Sequence, residues 1–258
     1  MLLTSDINRR SHTTTQEQSA LRGRVALVTG ASGGIGQAIA LSLTEHGARV
    51  CAVGRNSHNL ADTIAEAGRD SEVTRFQLDL TREKSLDALV GYLSGVGKLD
   101  VLVHCAGIMH QGRMEDGSIE VLDAQYAVNV RAPYLLTKRL LPLLTASRGQ
   151  VVFINSSAGL NAKRAETGQY AATKHALRAI ADSLREEVNA KGVRVLSVFL
   201  GRTATPMQEA LFREEGKEYH PELLLQPADA ASVIIHSLML PRTAEVTDIS
   251  IRPMHKPS

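Results

Sequence analysis

Short runs of apolar residues alternate along the chain with longer stretches whose apolar positions recur every three or four residues. Val25–Thr29, Arg49–Val53, Val73–Leu78, Val101–Cys105, Val151–Asn155 and Val193–Phe199 read as strands. Helical periodicity runs from about Ile35 to His46, over Asn59–Ala67, Glu83–Leu93 and Tyr170–Asn189, and through two long stretches that flank Pro133. Gly47 supplies the stop signal of the first helix. A polar stretch from Pro206 to Gln226 precedes a helix near Ala228–Leu240, and Asp248–Ile251 reads as a last, edge strand. Strands that are apolar throughout and alternate with helices predict a parallel sheet covered on both faces. With right-handed crossovers this is an α/β, doubly wound parallel sheet in one domain, residues 21–258. Ligands of such sheets bind beyond the carboxyl ends of the strands. Residues 1–20 are polar and read as a flexible extension.

Composition narrows the function. The 258 residues suit one α/β domain, and 43% hydrophobic content excludes wholesale disorder. With 29 basic and 27 acidic residues, no single-sign field exists to recruit nucleic acid or an anionic membrane surface. The absence of Trp argues against stacking platforms for single strands. No apolar run reaches the ~18 residues that a membrane-spanning helix needs. Arg9-Arg10 is followed by a polar run rather than an apolar one, so no twin-arginine signal is read. Cys51 and Cys105 lie in apolar runs and read as reduced thiols of a cytoplasmic protein.

The first strand ends in Thr29-Gly30-Ala31-Ser32-Gly33-Gly34-Ile35-Gly36. A tight turn and a close approach of backbone to phosphate both need residues without a Cβ. The helix that follows points its free N–H groups and positive dipole end at a pyrophosphate. A glycine loop between strand and helix of a βαβ unit therefore predicts a dinucleotide site, with Gly30, Ser32, Gly34, Ile35 and Gly36 lining it. The acid that would end the second strand and hold a ribose 2′-hydroxyl is missing. Gly54-Arg55-Asn56 stands there instead, and a guanidinium suits a 2′-phosphate. NADP(H) is expected over NAD(H). Asp79, with Leu80 after it, follows the third strand and is placed either to accept from the adenine amine or to cap a helix.

Tyr170 and Lys174 are four residues apart at the start of a predicted helix, hence on one face. A free phenol titrates near about 10, too high for acid–base work at neutral pH. A nearby ammonium, helped by an oxidised nicotinamide, would lower that value. Ser157 lies just past the fifth strand, at the same edge, where its hydroxyl could hold a carbonyl oxygen.

Together these residues resemble the short-chain dehydrogenase/reductase family, in its compact single-domain branch with a Rossmann fold, over about residues 22–252. Thr29–Gly36 matches the family's TGxxxGxG, and Tyr170 with Lys174 its YxxxK. Ser157 stands at the family's position thirteen before the tyrosine, and Asn129 matches the asparagine of its catalytic tetrad. The resemblance implies that Tyr170 donates or accepts the proton and Ser157 orients the carbonyl. It implies that Lys174 holds the nicotinamide ribose and lowers the tyrosine pKa, and that Asn129 keeps a water in the proton relay. It also implies a homodimer or homotetramer packed through the long helices.

Two departures stand out. The family's NNAG reads His104-Cys105-Ala106-Gly107: Ala106 and Gly107 still let backbone approach the cofactor, but the asparagine side chains are gone. Adjacent strand residues face opposite ways, so His104 and Cys105 are not expected to share a metal. The family's PG reads Leu200-Gly201, which should loosen a turn, while Thr203 and Thr205 still match the threonines on the nicotinamide side. Loops Ile108–Met114, Gly159–Thr167 and Pro206–Pro221 are expected to wall the substrate pocket. Arg113, Lys163 and Arg164 in them could attract an anion, although solvated loop charge is the plainer reading. The expectation is an NADP(H)-dependent oxidoreductase acting on a small carbonyl or alcohol. The rival is a non-catalytic nucleotide sensor or scaffold on the same fold, favoured only by the His104-Cys105 pair. A sugar-nucleotide epimerase or dehydratase would need a larger C-terminal lobe than follows Ile251.

Overall fold

The computed structural model describes residues 20–68 and 71–254, so the extension read over residues 1–20 lies, but for Ala20, outside the described residues. Seven parallel strands form one sheet: β1 (Val25–Thr29), β2 (Arg49–Gly54), β3 (Val73–Gln77), β4 (Val101–His104), β5 (Gln150–Ser156), β6 (Arg194–Leu200) and β7 (Asp248–Ile251). Their spatial order is β3-β2-β1-β4-β5-β6-β7, with the direction of winding reversing between β1 and β4. The helices are α1 (Gly34–Glu45), α2 (Ser57–Ala67), α3 (Leu86–Val96), α4 (Ile119–Tyr126), α5 (Ala132–Ala146), α6 (Gly168–Val188), α7 (Pro206–Glu214) and α8 (Pro227–Met239). The single doubly wound domain expected from the apolar pattern is the one observed.

Every residue of β1 is buried, and its side chains divide by parity between the two faces. Ala26 and Val28 join the cluster under α1 and α8, whereas Val25 and Leu27 join the cluster under α3, α5 and α6. The edge strands β3 and β7 are half exposed, which is why their apolar signal is weaker. The polar stretch from Pro206 is not a plain loop. Thr205 caps α7 by accepting from Gln208 N, and Pro206 occupies the first turn. The stretches around Pro133 form a nearly continuous rod, α4 and α5 joined by a π-helical turn at Ala127–Arg131. Pro133 fits because it lies in the first turn of α5, where its missing N–H costs little.

Candidate active site

The loop between β1 and α1 is shaped by what a Cβ would strike. Gly30 has φ 72°, and a Cβ there would lie 2.8 Å from Ala106 N. A Cβ on Gly36 would run into the carbonyl of Gly30, and one on Gly54 would lie 2.9 Å from Ser32 Oγ. The first turn of α1 carries neither a capping side chain nor an acid, so its N–H groups face the loop unopposed. A cleft runs from this loop past Ile35, Arg55 and Asp79 to Ala106, Gly107 and Thr205. Asn56 and Leu80 also line it, though Asn56 spends its side-chain oxygen on the N-terminus of α2, accepting from His58 N and Asn59 N. The fit to a dinucleotide is good: bare backbone, an open helix end and a cleft at the reversal of the sheet.

Arg55 is exposed and, among the described residues, forms no ion pair; its carbonyl accepts from Gln77 Nε2 at 3.2 Å. Asp79 Oδ1 accepts from Thr81 N at 3.0 Å and Thr81 Oγ1 at 2.7 Å. These bonds hold its carboxyl below the ordinary range, with smaller help from Arg82 and Arg55. Asp79 thus fastens a turn, and one oxygen stays near Arg82 at 3.5 Å. Thr203 is not brought to the cleft. It is 5% exposed, and its hydroxyl donates to Gly201 O at 3.1 Å. In the turn that lacks the family's proline, Gly201 N donates to Ile251 O at 2.8 Å, and Gly201 packs on Arg252 and Pro253.

At the far end of the cleft four polar side chains meet. The ammonium of Lys174 donates to Ile154 O at 3.0 Å and sits 5.7 Å from the centre of the Tyr170 ring. Burial pushes that lysine down to about 8, with the Cys105 thiol nearby acting the other way. Asn129, 1% exposed in the π-helical turn, donates to Ile108 O at 2.9 Å and Thr173 Oγ1 at 3.0 Å, and accepts from Ile108 N at 2.9 Å. Gly107 admits this convergence: a Cβ on it would lie 3.4 Å from Asn129 Oδ1 and 3.8 Å from Lys174 Nζ. π-Turns commonly mark functional positions, because the extra residue re-aims one side chain.

Two features bear on the sequence expectations here. Ser156 lies within hydrogen-bonding reach of the Tyr170 phenol, while Ser157 is exposed. Ser156 ends β5 and also accepts from Ala158 N at 3.2 Å, while Ser157 begins the next turn with its side chain toward solvent. The adjacent serines differ by one step of strand parity, which counting back from Tyr170 does not resolve. The phenol is also not lowered. Burial pushes Tyr170 up to about 12, and the bond from Ser156 offsets this only in part.

Of the two positions that replace the family's asparagines, His104 is in the core and Cys105 is half-buried at the cleft. His104 is 3% exposed, stacks on Phe153 at 5.0 Å and pairs through Nε2 with Thr137 Oγ1 at 2.7 Å. Burial drives it down to about 3, so it is neutral. Cys105 packs against the opposite cluster, and burial pushes its thiol up to about 12. Among the described residues no His, Cys, Asp and Glu group is arranged to hold a metal. Thr29 Oγ1 meets the backbone these positions expose, accepting from Cys105 N at 3.1 Å and Ala106 N at 3.2 Å.

A second polar cluster went unread in the sequence. Glu215, just after α7, has a side chain only 8% exposed. It accepts from Arg202 Nη2 at 3.1 and 3.0 Å and from Gln111 Nε2 at 3.2 Å, and it contacts Arg164 and Lys217. Burial alone would raise its carboxyl, but the guanidinium bonds win and hold it at about 2. Arg113, by contrast, pairs with Glu115 at the surface.

Comparison with known proteins places this geometry. The sequence model described as short chain dehydrogenase matches residues 24–216. An uncharacterized oxidoreductase of Staphylococcus haemolyticus is 31% identical over 235 residues, 91% of this chain and 99% of that protein. A short chain dehydrogenase from Salmonella enterica serovar Typhi superposes with a TM-score of 0.82 at 30% identity, covering 90% of this chain and 97% of that one. One from Shigella flexneri, complexed with NADP, superposes at 0.80 and 31% identity, covering 90% and 98%.

Proposed function

Because the chain belongs to the short-chain dehydrogenase family and is an oxidoreductase, we propose that it is an NADP(H)-dependent reductase of a small carbonyl compound through Tyr170. The observation that carries this reading is the convergence of Asn129 and Lys174 on Gly107, which lines the glycine-walled cleft, with Tyr170 beside Lys174 and Ser156 beside Tyr170.

When bound, the nicotinamide supplies or takes the hydride. Gly30, Ser32, Gly34, Ile35 and Gly36 would hold the pyrophosphate, with the N-terminus of α1 facing it. Arg55 would hold the 2′-phosphate, since its guanidinium is exposed beside Asn56 at the mouth of α2. Ala106 and Gly107 would let the nicotinamide half lie close to backbone, and Thr205 would flank it. Tyr170, raised to about 12, keeps its proton at neutral pH, which is the state a donor to a carbonyl oxygen needs. Ser156 would donate a hydrogen bond to the same oxygen as charge develops there. Lys174 spends one N–H on Ile154 O and keeps two for a ribose. Asn129 fixes the backbone of Ile108 and, through Thr173, the helix that carries Tyr170.

The sensor reading gains nothing from His104, which is packed on Phe153 and Thr137, while Cys105 stands half-buried at the wall of the cleft. No helix among the described residues is long and apolar enough to cross a membrane. A cytoplasmic site is proposed from the two free thiols, and a homo-oligomer from the family resemblance. The deciding experiment follows NADPH absorbance over a panel of ketones, aldehydes and diketones, with Tyr170→Phe alongside. Turnover that drops at least about 100-fold in the variant while NADPH still binds supports the reading. Equal turnover in both proteins sinks it.

A further inference from the structure

We propose that the substrate of this site carries a carboxylate, which docks on the guanidinium of Arg202 with Arg164 beside it; this names the substrate class of the reductase reading and rests on it. The placement comes from strand register. Ser156, the partner of Tyr170, pairs across the sheet with Leu200. Neighbouring strands lie about 4.8 Å apart. Arg202 is two residues past Leu200, so its Cα lies within roughly 7 Å of that register position. A long side chain starting there emerges at the sheet edge where the carbonyl is to be held.

The guanidinium is held in one orientation. Its plane lies over the Phe212 ring at 4.5 Å, and Nη2 is spent on both oxygens of Glu215. The other nitrogen, Nη1, is buried and has no hydrogen-bond partner. Buried N–H groups rarely go unpaired, and a guanidinium with one arm fixed and one arm unpaired is a preset receptor for a carboxylate. Charge agrees with geometry: Arg164, Arg202 and Lys217 all contact the one carboxylate of Glu215, so positive charge is in excess among these four side chains. Position agrees as well. Arg164 comes from the loop that starts beside Ser156 and ends at Tyr170, Gln111 from the loop after β4, and Glu215 from the end of α7. Three separate segments at the carboxyl edge are tied to one point. Glu215 is the positioning residue: it orients Arg202 and leaves Nη1 to the substrate.

The test uses full-length protein and short linear oxo acids, with the ketone two to four carbons from the carboxylate, beside their methyl esters. At the best chain length the natural protein should favour acid over ester at least about tenfold in kcat/KM, the discrimination expected of a site built around a buried donor. Arg202→Met should collapse that ratio, mainly through KM for the acid, with NADPH affinity intact. Arg202→Lys, which keeps the charge and is the milder change, should restore part of it. Equal use of acid and ester by the natural protein overturns the proposal. So does an acid-to-ester ratio that survives Arg202→Met. Turnover of neutral ketones alone also overturns it, while leaving the reductase reading standing. If no compound is turned over, the reductase reading fails and the seat is judged by melting of the NADP⁺ complex with the acids. A stabilisation lost in Arg202→Met supports the carboxylate seat, and no stabilisation overturns it.

Discussion

Around the glycine loop the decisive atoms are the ones left out: Gly30, Gly36 and Gly54 have no room for a Cβ, and the helix end above them carries no cap. Around Tyr170 the decisive atoms are present and tied down. Lys174 is bonded to Ile154 O, Asn129 to both backbone groups of Ile108, and Asn155 Nδ2 to Lys174 O at 3.1 Å. The first region recognises a shape common to many dinucleotides, so it tolerates chemical change at its rim but no added volume. The second tolerates little chemical change, because Lys174 and Asn129 are buried and tied to named partners.

That contrast can be broken most directly at the two serines. Ser156→Ala should lower turnover by roughly 100-fold or more, the usual cost of losing a donor to a developing oxyanion, with NADPH affinity held. Ser157→Ala should stay within about twofold, as surface changes do. Steady-state kinetics on both variants decides; the reverse ranking would return the role to Ser157. Next in size, Gly36→Ala should weaken NADPH binding by roughly 10- to 100-fold, from the strain of an added Cβ against Gly30 O. Fluorescence titration reads this, and undiminished affinity would mean that the loop gives way.

Arg55→Ala should weaken NADPH binding about tenfold more than NADH binding, the value of one charge-assisted contact. Equal weakening of both removes the 2′-phosphate argument. Turnover should fall on the alkaline side with a midpoint near 8, as Lys174 loses its charge. Lys174→Arg should move that limb upward, since a guanidinium stays protonated. The smallest effect is expected at His104. Its folded value of about 3 lies below the ordinary 6.5, so between these pH values the unfolded chain binds the extra proton and folding weakens as pH falls. His104→Asn should flatten the acid limb of a melting-temperature profile; an unchanged limb would assign acid lability elsewhere.

The shape of the glycine loop was legible in the chain itself. Thr29–Gly36 and the helix start at Gly34 are contiguous, so local rules of turns and caps suffice to read them. The π-turn that aims Asn129 was not legible, because it depends on how the rod of α4 and α5 crosses the loop at Ile108. Nor was α7, since a helix opened by a threonine cap and proline inside a polar run carries little apolar periodicity. Thr203 and Thr205 differ by two positions, but one folds back onto Gly201 and the other faces the cleft.

By itself the sequence determined the alternation of strands and helices, the glycine loop, and the pairing of Tyr170 with Lys174 on one helix face. All of these rest on spacing between near neighbours, and backbone geometry fixes what such spacing means. Only the tertiary structure decided the order of the strands, the placing of Ser156 beside Tyr170 with Ser157 exposed, the upward shift of the phenol, and the pairing of Arg164 with a glutamate 51 residues away. Burial and charge pairing depend on segments far apart in the chain, and no local rule carries the desolvation that sets them.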